Sequence, residues 1–424
     1  MKRRAFLASL GGASLGGAAL GGAALAWPRA LDALARDLQE GGGPDDEAFW
    51  AFVKDQFLIP RDRIYLNNGT LGPSPAVVVD AVAEHARRVA STFPPGVDWD
   101  DLKSSVGAFL GADPEGLVFP RNTTEAMSFV AQGLDLEPGD EILTSDHEHI
   151  GGLCPWQLVA RRGNLSLRTF SLPVPPESSA ALLGVIEEAI SGITRVLSLS
   201  HVTFTTGTRL PVEEVARICR DRKIIFVVDG AHPPGMVRMD LSSWRPDFYA
   251  SSPHKWLLAP QGSGLLYLEG EWRTRLWPTL ASGGWDDLAL GAQRLNHLGT
   301  FDESRMAGLI AAVEFLNALG MTRVEARIRY LRKRLEGDLR AMPGVRVTSP
   351  EQEELSTGMV SFAMEGVDSL ALQRHLARVA AVRTRVISEY DYGWMRLSTH
   401  IYNQPGELDR FVDLLDDVRR NGLS

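Results

Sequence analysis

The chain has 424 residues, with 44 Lys and Arg against 53 Asp and Glu, 44% hydrophobic residues and two cysteines. A single hydrophobic core stops growing near ~250–300 residues, so we expect two domains. The formal charge of −9 argues against a nucleic-acid-binding protein, because neutralising phosphates needs a basic surface. Two cysteines are too few for a disulfide framework or a thiolate metal site.

The first residues have the pattern of an export signal. Lys2, Arg3 and Arg4 precede an uncharged run rich in Gly, Ala and Leu that reaches Ala26, and this order is typical of a signal peptide. The Arg3-Arg4 pair resembles a twin-arginine signal. We therefore predict a twin-arginine signal peptide over residues 1–26, a periplasmic or extracellular protein and no stable membrane anchor. The alternative is a basic N-terminus on a cytosolic protein.

The body begins with a linker and an N-terminal helix, expected over residues 27–60. From residue 117 onward, short apolar runs alternate with helical patterns, which favours a mostly parallel sheet covered by helices, with ligands at the carboxyl ends of the strands. In chain order, the predicted elements are strand 117–119, helix 127–134, strand 141–144, helix 155–161, strand 196–200, helix 212–222 and strands 224–228, 248–251 and 265–268.

The pattern changes after residue 300 and indicates a smaller α+β domain. We predict a large domain over residues 61–300 and a small C-terminal domain over residues 301–424. The elements expected in the small domain are a long helical stretch over roughly residues 303–340, strand 359–363, helix 369–380, strands 383–386 and 395–399, and a closing helix 407–419.

Polar residues follow several of these strands, and each allows two interpretations. Asn122 and Glu125 have capping-box spacing, but the intervening Thr123-Thr124 pair at a helix N-terminus also offers donors to a phosphate. Asp229 is either a turn residue or the partner of a cationic ring nitrogen. Lys255 is either solvated or desolvated and nucleophilic.

Neither a metal site nor a reactive thiol is indicated. His147 and His149 have the His-x-His spacing found at some metal sites, but no third ligand with metal spacing is visible. Cys154 and Cys219 lie inside helical patterns, so we expect both to be small core residues.

Taken in order, these segments resemble the class V aminotransferase family of pyridoxal-phosphate enzymes, which includes cysteine desulfurases and isopenicillin N epimerase. The resemblance covers about residues 60–424, and an ordered set of motifs is more specific than any single one. It rests on Tyr65-Leu66-Asn67-Asn68-Gly69, Asn122-Thr123-Thr124-Glu125-Ala126, Glu148-His149, Ser200-His201-Val202, Asp229-Gly230-Ala231-His232, Ser252-Pro253-His254-Lys255-Trp256, Gly299-Thr300, Arg396-Leu397-Ser398 and Tyr402-Asn403.

The resemblance implies a fold-type I α/β transferase with a mostly parallel seven-stranded sheet, pyridoxal 5'-phosphate as cofactor, an amino-acid substrate and a homodimer with shared active sites. Lys255 would form the Schiff base with the cofactor, Asp229 would keep the ring nitrogen protonated, and His149 would stack on the ring. Arg396 would bind the substrate carboxylate, with Asn67 as a second substrate contact. The other cofactor contacts that it implies are Thr123, Thr124, His232, Ser252, His254 and, from the neighbouring subunit, Thr300.

The resemblance constrains the first steps of the reaction more tightly than it constrains which product forms. Cysteine desulfurases carry a nucleophilic Cys before the substrate arginine, whereas residues 383–395 contain none, and Phe204 replaces a usual Asn. We expect an enzyme of the isopenicillin N epimerase-like subgroup, with an aminotransferase or a β- or C-S lyase as the alternative. A non-catalytic binding protein is disfavoured by the joint presence of Lys255 and Asp229. An epimerase with two bases needs a second proton donor, for which the candidates are Tyr390, Tyr392 and His400.

Overall fold

The computed structural model describes residues 26–39, 42–92 and 96–423, so the predicted export signal lies outside the described residues except for Ala26. Helices α1 to α14 are, in order, Ala26–Gln39, Glu47–Lys54, Ala76–Thr92, Trp99–Leu110, Thr123–Gly133, Ile150–Gly163, Ser179–Ala189, Val212–Arg222, Leu241–Trp244, Trp272–Arg275, Ser304–Leu319, Met321–Ala341, Ser369–Ala380 and Pro405–Asn421. Strands β1 to β13 are Ile64–Tyr65, Leu117–Val118, Glu141–Ser145, Ser166–Phe170, Thr194–Ser200, Ile225–Asp229, Phe248–Ser251, Leu265–Leu268, Val345–Val347, Met359–Met364, Val382–Arg383, Arg385–Ile387 and Trp394–Ser398.

The central sheet has seven strands in the order β2-β8-β7-β6-β5-β3-β4. Neighbours from β7 to β4 run parallel, whereas β8 runs antiparallel to both β7 and β2. Strands β3, β6, β7 and β8 are buried along their whole length because helices cover both faces of the sheet. The predicted fold, a mostly parallel seven-stranded sheet within an α/β protein, is confirmed.

The smaller α+β unit is built on a four-stranded antiparallel sheet in the order β12-β13-β10-β9. Helices α12, α13 and α14 pack around this sheet, and their buried apolar side chains form a separate core. The N-terminal part of the chain also contributes to this unit, because β1 pairs in parallel with β11. Residues just after β1 therefore lie beside the small sheet.

The helical stretch expected over residues 303–340 is present but divided, since two helices, α11 and α12, meet there at an angle of 80°. Gly320 lies between them with φ +80°, a conformation that glycine adopts without steric cost. Helix α11 packs on α3, α1 and α4, while α12 packs on the small sheet. Among the described residues no single helix is long and apolar enough to cross a membrane, although this bent pair meets that test by length and composition.

The strand predicted over residues 383–386 is divided between two sheets. Val382 and Arg383 belong to β11, which pairs with β1, and Arg385 begins β12, which pairs with β13. The change of partner falls at Thr384. As a result, Arg385 and Arg396 lie directly opposite each other in the small antiparallel sheet.

Candidate active site

A cavity of about 400 Å³ lies between the carboxyl ends of the central strands and the small sheet. Among the described residues that line it, Asp229 is the only carboxylate, whereas Lys255, Arg385 and Arg396 are cationic. A basic cavity in an acidic protein favours anionic ligands. The lining residues are Gly69, Thr70, Asn122, Thr123, Thr124, His149, Gly151, Gly152, Ser200, Phe204, Asp229, Ala231, His232, Ser252, His254, Lys255, Arg385 and Arg396.

Lys255 lies in the loop that follows β7, and its amine faces the cavity. Burial lowers the pKa of Lys255 to about 8, while the charge of Asp229 opposes this shift and that of Arg396 adds to it. The loop is held from behind, because Gly72 donates its backbone N–H to the carbonyl of His254 at 2.8 Å. A β-carbon at residue 72 would lie 1.9 Å from the carbonyl oxygen of Lys255, so this close approach needs glycine. The result is an amine with a greater neutral fraction than an exposed lysine has.

Asp229 is the last residue of β6 and is 5% exposed. Burial raises the pKa of its carboxyl, while the charge of Lys255 and a hydrogen bond from the backbone N–H of Ala231 to Oδ1, 3.0 Å long, lower it. Oδ2 faces Gly152 on α6, where a β-carbon would lie only 2.6 Å away. A buried carboxylate of this kind stabilises a cationic ligand atom.

His149 and His232 are both held as neutral rings with a defined tautomer. His149 caps α6, and its Nδ1 accepts the backbone N–H of Gly151 at 3.0 Å. Nδ1 of His232 accepts the indole N–H of Trp256 at 3.1 Å. Burial lowers the pKa of His149 to about 4 and that of His232 well below its ordinary value. Since Nδ1 accepts in both neutral rings, Nε2 carries the proton, and in His232 this buried Nε2 has no partner in the described structure.

At another end of the cavity, hydroxyl and amide groups lie close together at the N-terminus of α5. Ser252 Oγ accepts the backbone N–H of Thr123 at 3.1 Å, and the two hydroxyl groups lie 2.8 Å apart. His254 donates from Nδ1 to the carbonyl of Ser263 at 3.3 Å, and burial lowers its pKa to about 4. Thr124 follows in the first helical turn, whose N–H groups have no partner inside the helix. This end has the donors and the helix dipole that bind a phosphate.

The substrate side of the cavity is dominated by Arg396, which is 2% exposed. Its Nη1 donates to the carbonyl of Phe204 at 2.7 Å and its Nη2 to Thr70 Oγ1 at 3.2 Å, while the buried Nε has no partner in the described structure. Burial lowers the pKa of Arg396 to about 9, with the charge of Arg385 as a further cause. The charge of Glu389 acts in the opposite direction, but the direct hydrogen-bond partners of this buried guanidinium are neutral, so it favours a ligand carboxylate.

A second carboxyl group lies behind the cavity. Glu148 accepts the hydroxyl groups of Ser145 and Ser200, each at 2.6 Å. Burial raises the pKa of Glu148 to about 7, and the nearby charge of Asp229 acts in the same direction. Ser200 is paired with Asp229 in the sheet register and also lines the cavity, so this hydrogen-bonded group supports the strand ends that carry the site.

Two residues expected at the site do not line the cavity. Asn67 is buried behind it and accepts the hydroxyl of Thr70 at 2.8 Å, so it reaches Arg396 only through Thr70. Thr300 is exposed, and its expected contact with a neighbouring subunit stays a prediction. The other expected site residues, from both the strand ends and the small sheet, converge on one cavity.

None of the three candidates for a second proton donor lines the cavity. Tyr390 donates its hydroxyl to the carbonyl of Glu148 at 2.8 Å, and Tyr392 stacks on Trp394 with ring centroids 4.2 Å apart. His400 is fully buried and donates from Nε2 to the carbonyl of Trp256 at 3.0 Å.

Cys154 is exposed, so its expected place in the core is wrong. Helix α6 buries the face formed by Gly152, Pro155, Trp156 and Ala160, and Cys154 projects from another face. Cys219 is buried as expected, and burial raises the pKa of its thiol to about 12. Neither cysteine lines the cavity, and no group of three or more His, Cys, Asp or Glu residues in the described ranges could hold a metal ion.

Some cavity residues carry little signal in the sequence. Thr70 and Arg385 each look like ordinary surface residues, and their place in the cavity depends on strand pairing between distant segments. The Gly151-Gly152 pair after His149 does carry a signal, because consecutive glycines in a helical pattern indicate a close approach. In the structure, Gly151 closely approaches Thr124, and Gly152 closely approaches Asp229.

Comparison with known proteins agrees with this arrangement. The sequence profile described as Aminotransferase class-V matches residues 96–411. The chain is 33% identical to an isopenicillin N epimerase from Streptomyces clavuligerus over 87% of this chain and 98% of the relative. The chain belongs to the class V aminotransferase family.

Other class V relatives have different names. A probable cysteine desulfurase from Methanothermobacter thermautotrophicus is 25% identical over 87% of this chain and 98% of the relative. A solved C-DES mutant with glycine covalently linked to the PLP cofactor superposes with a TM-score of 0.76 at 24% identity, covering 86% of this chain and 99% of that one. The fold-type I architecture is therefore shared with pyridoxal-phosphate enzymes.

The residues of this cavity fit pyridoxal 5'-phosphate, the cofactor of the family. The buried Nε2 of His232, which lacks a partner in the described structure, offers a donor, and Asp229 offers a carboxylate to a protonated ring nitrogen. Thr123, Thr124, Ser252 and His254 form the end suited to the phosphate. Lys255 supplies the amine that the cofactor aldehyde requires.

Proposed function

We propose that this class V enzyme epimerises an amino acid at its α-carbon. When bound, pyridoxal phosphate supplies an electrophilic carbonyl carbon and a cationic ring that accepts the electron pair left at the α-carbon. Arg396 binds the α-carboxylate and fixes the orientation of the α-hydrogen. Lys255, with a pKa lowered to about 8, removes the proton from one face of this carbon and delivers a proton to the opposite face, which inverts its configuration. Asp229 holds the proton on the ring nitrogen.

The observation that carries this proposal is the meeting of Lys255, Asp229 and Arg396 at one cavity that no cysteine lines. Desulfuration through a persulfide needs a thiol within reach of the substrate, and both cysteines of the chain lie elsewhere. The similarity to isopenicillin N epimerase over most of both chains favours epimerisation over the other reactions.

We assign both proton transfers to Lys255, because Tyr390, Tyr392 and His400 do not line the cavity and two of them use their polar atoms on backbone carbonyls. A substrate carrying deuterium at the α-carbon tests this assignment in ordinary water. One base returns part of the label to the inverted product. Two bases on opposite faces give product with solvent hydrogen alone.

Product analysis tests the reaction itself. Holoprotein is incubated with single amino acids in deuterium oxide. Epimerisation gives deuterium at the α-carbon and loss of optical activity, with neither 2-oxo acid nor ammonia formed. A 2-oxo acid without ammonia indicates an aminotransferase, and one with ammonia a lyase, and either result contradicts the proposal.

The quaternary structure that we propose is a homodimer in which Thr300 completes the phosphate site of the neighbouring subunit. Exposed apolar side chains in residues 277–301 support such an interface, since patches of this kind mark association sites. They are Trp277, Leu280, Trp285, Leu288 and Phe301, each more than a third exposed. Sedimentation of the holoprotein tests this, and a monomer at micromolar concentration contradicts it.

Export through the twin-arginine route is also part of the proposal, on the strength of Arg3-Arg4 and the apolar run that follows. Replacing both arginines with lysine keeps the charge but removes the paired signal, so the protein should accumulate inside the cell. An unchanged exported yield contradicts the assignment.

A further inference from the structure

The segment 66–72, which follows β1, connects the two halves of the site. At one end, the backbone N–H of Ser398 in β13 donates to the carbonyl of Leu66 at 2.9 Å. At the other end, Gly72 packs against the backbone carbonyl of Lys255. The segment therefore contacts both the strand that carries the carboxylate-binding arginine and the loop that carries the reactive amine.

Thr70 lies within this segment, is exposed and lines the cavity. Its hydroxyl oxygen accepts a hydrogen bond from Nη2 of Arg396 at 3.2 Å. The same hydroxyl donates its hydrogen to Oδ1 of Asn67 at 2.8 Å. A hydroxyl group has a single hydrogen, so the bond to Asn67 keeps the lone pairs of the oxygen available to the guanidinium. Asn67 is itself buried, which fixes the position of this acceptor.

Two other contacts restrict the guanidinium of Arg396. Nη1 donates to the carbonyl of Phe204 at 2.7 Å. Gly69 packs beside the guanidinium, since a β-carbon at this residue would lie 3.0 Å from Nη2 and 3.1 Å from Cζ. Each terminal nitrogen has two N–H groups and uses one of them in the described structure, so one on each is left for a ligand. A carboxylate that accepts two such bonds requires a fixed guanidinium plane.

Of these three restraints, the hydroxyl of Thr70 is the one that comes from a side chain. The carbonyl of Phe204 and the backbone of Gly69 belong to the main chain. Without the hydroxyl, Nη2 of Arg396 loses its acceptor. A buried charged donor without a partner costs free energy, so the guanidinium would turn towards other acceptors and lose the orientation that the carboxylate needs.

We propose that Thr70 is a positioning residue, which holds the guanidinium of Arg396 in the orientation that binds the substrate α-carboxylate. The inference rests on the proposed function, in which Arg396 binds this carboxylate. Asn67 contributes by accepting the hydroxyl hydrogen of Thr70. Because the segment 66–72 also contacts the loop of Lys255, Thr70 fixes the carboxylate relative to the amine that acts at the α-carbon.

Equilibrium titration tests this role without relying on turnover. Holoprotein is titrated with L-norleucine and with 1-aminopentane, which has the same carbon chain without the carboxylate, and the visible absorption of the bound cofactor gives each Kd. Thr70→Val should weaken the binding of L-norleucine about tenfold to a hundredfold, as expected for the loss of a hydrogen bond to a charged group. It should leave the Kd of 1-aminopentane unchanged. Thr70→Ser keeps the hydroxyl and should bind L-norleucine as the wild type does.

A double-mutant cycle tests whether Thr70 acts through Arg396. In an Arg396→Gln background, Thr70→Val should have no further effect on the Kd of L-norleucine, because the interaction between the two residues is already lost.

Two substitutions on the exposed surface are the matched controls, and both should keep the wild-type Kd values. Thr92→Val removes a hydroxyl that donates to the carbonyl of Arg88 at 3.0 Å. Arg334→Gln breaks an ion pair with Asp409 in the small unit. Thermal unfolding of each holoprotein verifies that it is folded.

Four results would overturn the inference while leaving the proposed function intact. They are an unchanged Kd of L-norleucine in Thr70→Val, an equal loss for L-norleucine and 1-aminopentane, no recovery in Thr70→Ser, and an undiminished effect of Thr70→Val in the Arg396→Gln background. A wild-type cofactor spectrum that responds to neither ligand would instead overturn the proposed function and this inference with it.

Discussion

Gly152 and Asp229 are so close that a β-carbon on Gly152 would lie 2.6 Å from Oδ2 of the carboxylate. The first turn of α6 therefore presses against the group that we assign to the cofactor ring nitrogen. Gly152→Ala should displace either the helix or the carboxylate. Because hydrogen bonds to charged groups contribute about 1.5–3 kcal/mol, we expect pyridoxal phosphate to bind about tenfold or more weakly.

Gly184→Ala is the matched control for this variant. Gly184 also lies in a helix, α7, but a β-carbon there would meet nothing within 4 Å. Alanine should raise the stability by about 0.5–1 kcal/mol and leave cofactor affinity unchanged. Equal cofactor affinities in Gly152→Ala and Gly184→Ala would show that the packing of Gly152 against Asp229 does not support the site.

The lowered pKa of Lys255 predicts a pH dependence of cofactor capture. The amine reacts only when neutral, so the rate at which apoprotein takes up pyridoxal phosphate should rise through about pH 8 and then level off. The charge of Asp229 raises this pKa. Asp229→Asn should therefore move the midpoint to lower pH, whereas Asp409→Asn, on the exposed surface, should not. A midpoint that stays fixed or moves upward in Asp229→Asn contradicts the assigned coupling.

The raised pKa of Glu148 predicts how the stability of the protein changes with pH. The direction of this change is opposite to the one that an ordinary carboxylate causes. Its pKa is raised by burial from 4.5 to about 7, so the folded protein binds this proton more tightly than the unfolded chain. Its contribution to stability is fully present below about pH 4.5 and is lost as the pH rises through about 7. The stability of the wild type relative to Glu148→Gln should fall by about 3 kcal/mol across this window.

Chemical denaturation of both apoproteins at several pH values measures this difference. Taking the difference cancels the buried histidines, whose lowered pKa values act in the opposite direction. A constant difference between pH 4.5 and 7 would contradict the raised pKa of Glu148.

The sequence predicted the parts of the site that are fixed locally. Asp229 ends an apolar strand and Lys255 follows the next strand, so both had to lie at the carboxyl edge of a parallel sheet. Thr123 and His149 could be predicted as site residues for a similar reason, because each lies where a helix begins after a strand.

Features set by long-range packing were missed. Arg385 enters the cavity only because β12 pairs with β13 in one register, and nothing near it in the sequence specifies that register. The bend at Gly320 was missed because buried apolar residues continue through it: α11 and the start of α12 share the large core, and only the later part of α12 packs in the core of the small unit. The prediction for Cys154 was wrong because a helical pattern alone does not specify that this residue lies on the buried face of α6.

The most direct test of the account follows hydrogen exchange at the α-carbon of a bound amino acid. Wild-type holoprotein, the folded Arg334→Gln control and Lys255→Ala reconstituted with cofactor are compared by proton NMR in deuterium oxide. We predict exchange and inversion in the first two and a loss of both in Lys255→Ala, because the cavity then lacks its assigned base. Exchange at the wild-type rate in Lys255→Ala would contradict the central claim that Lys255 moves this proton.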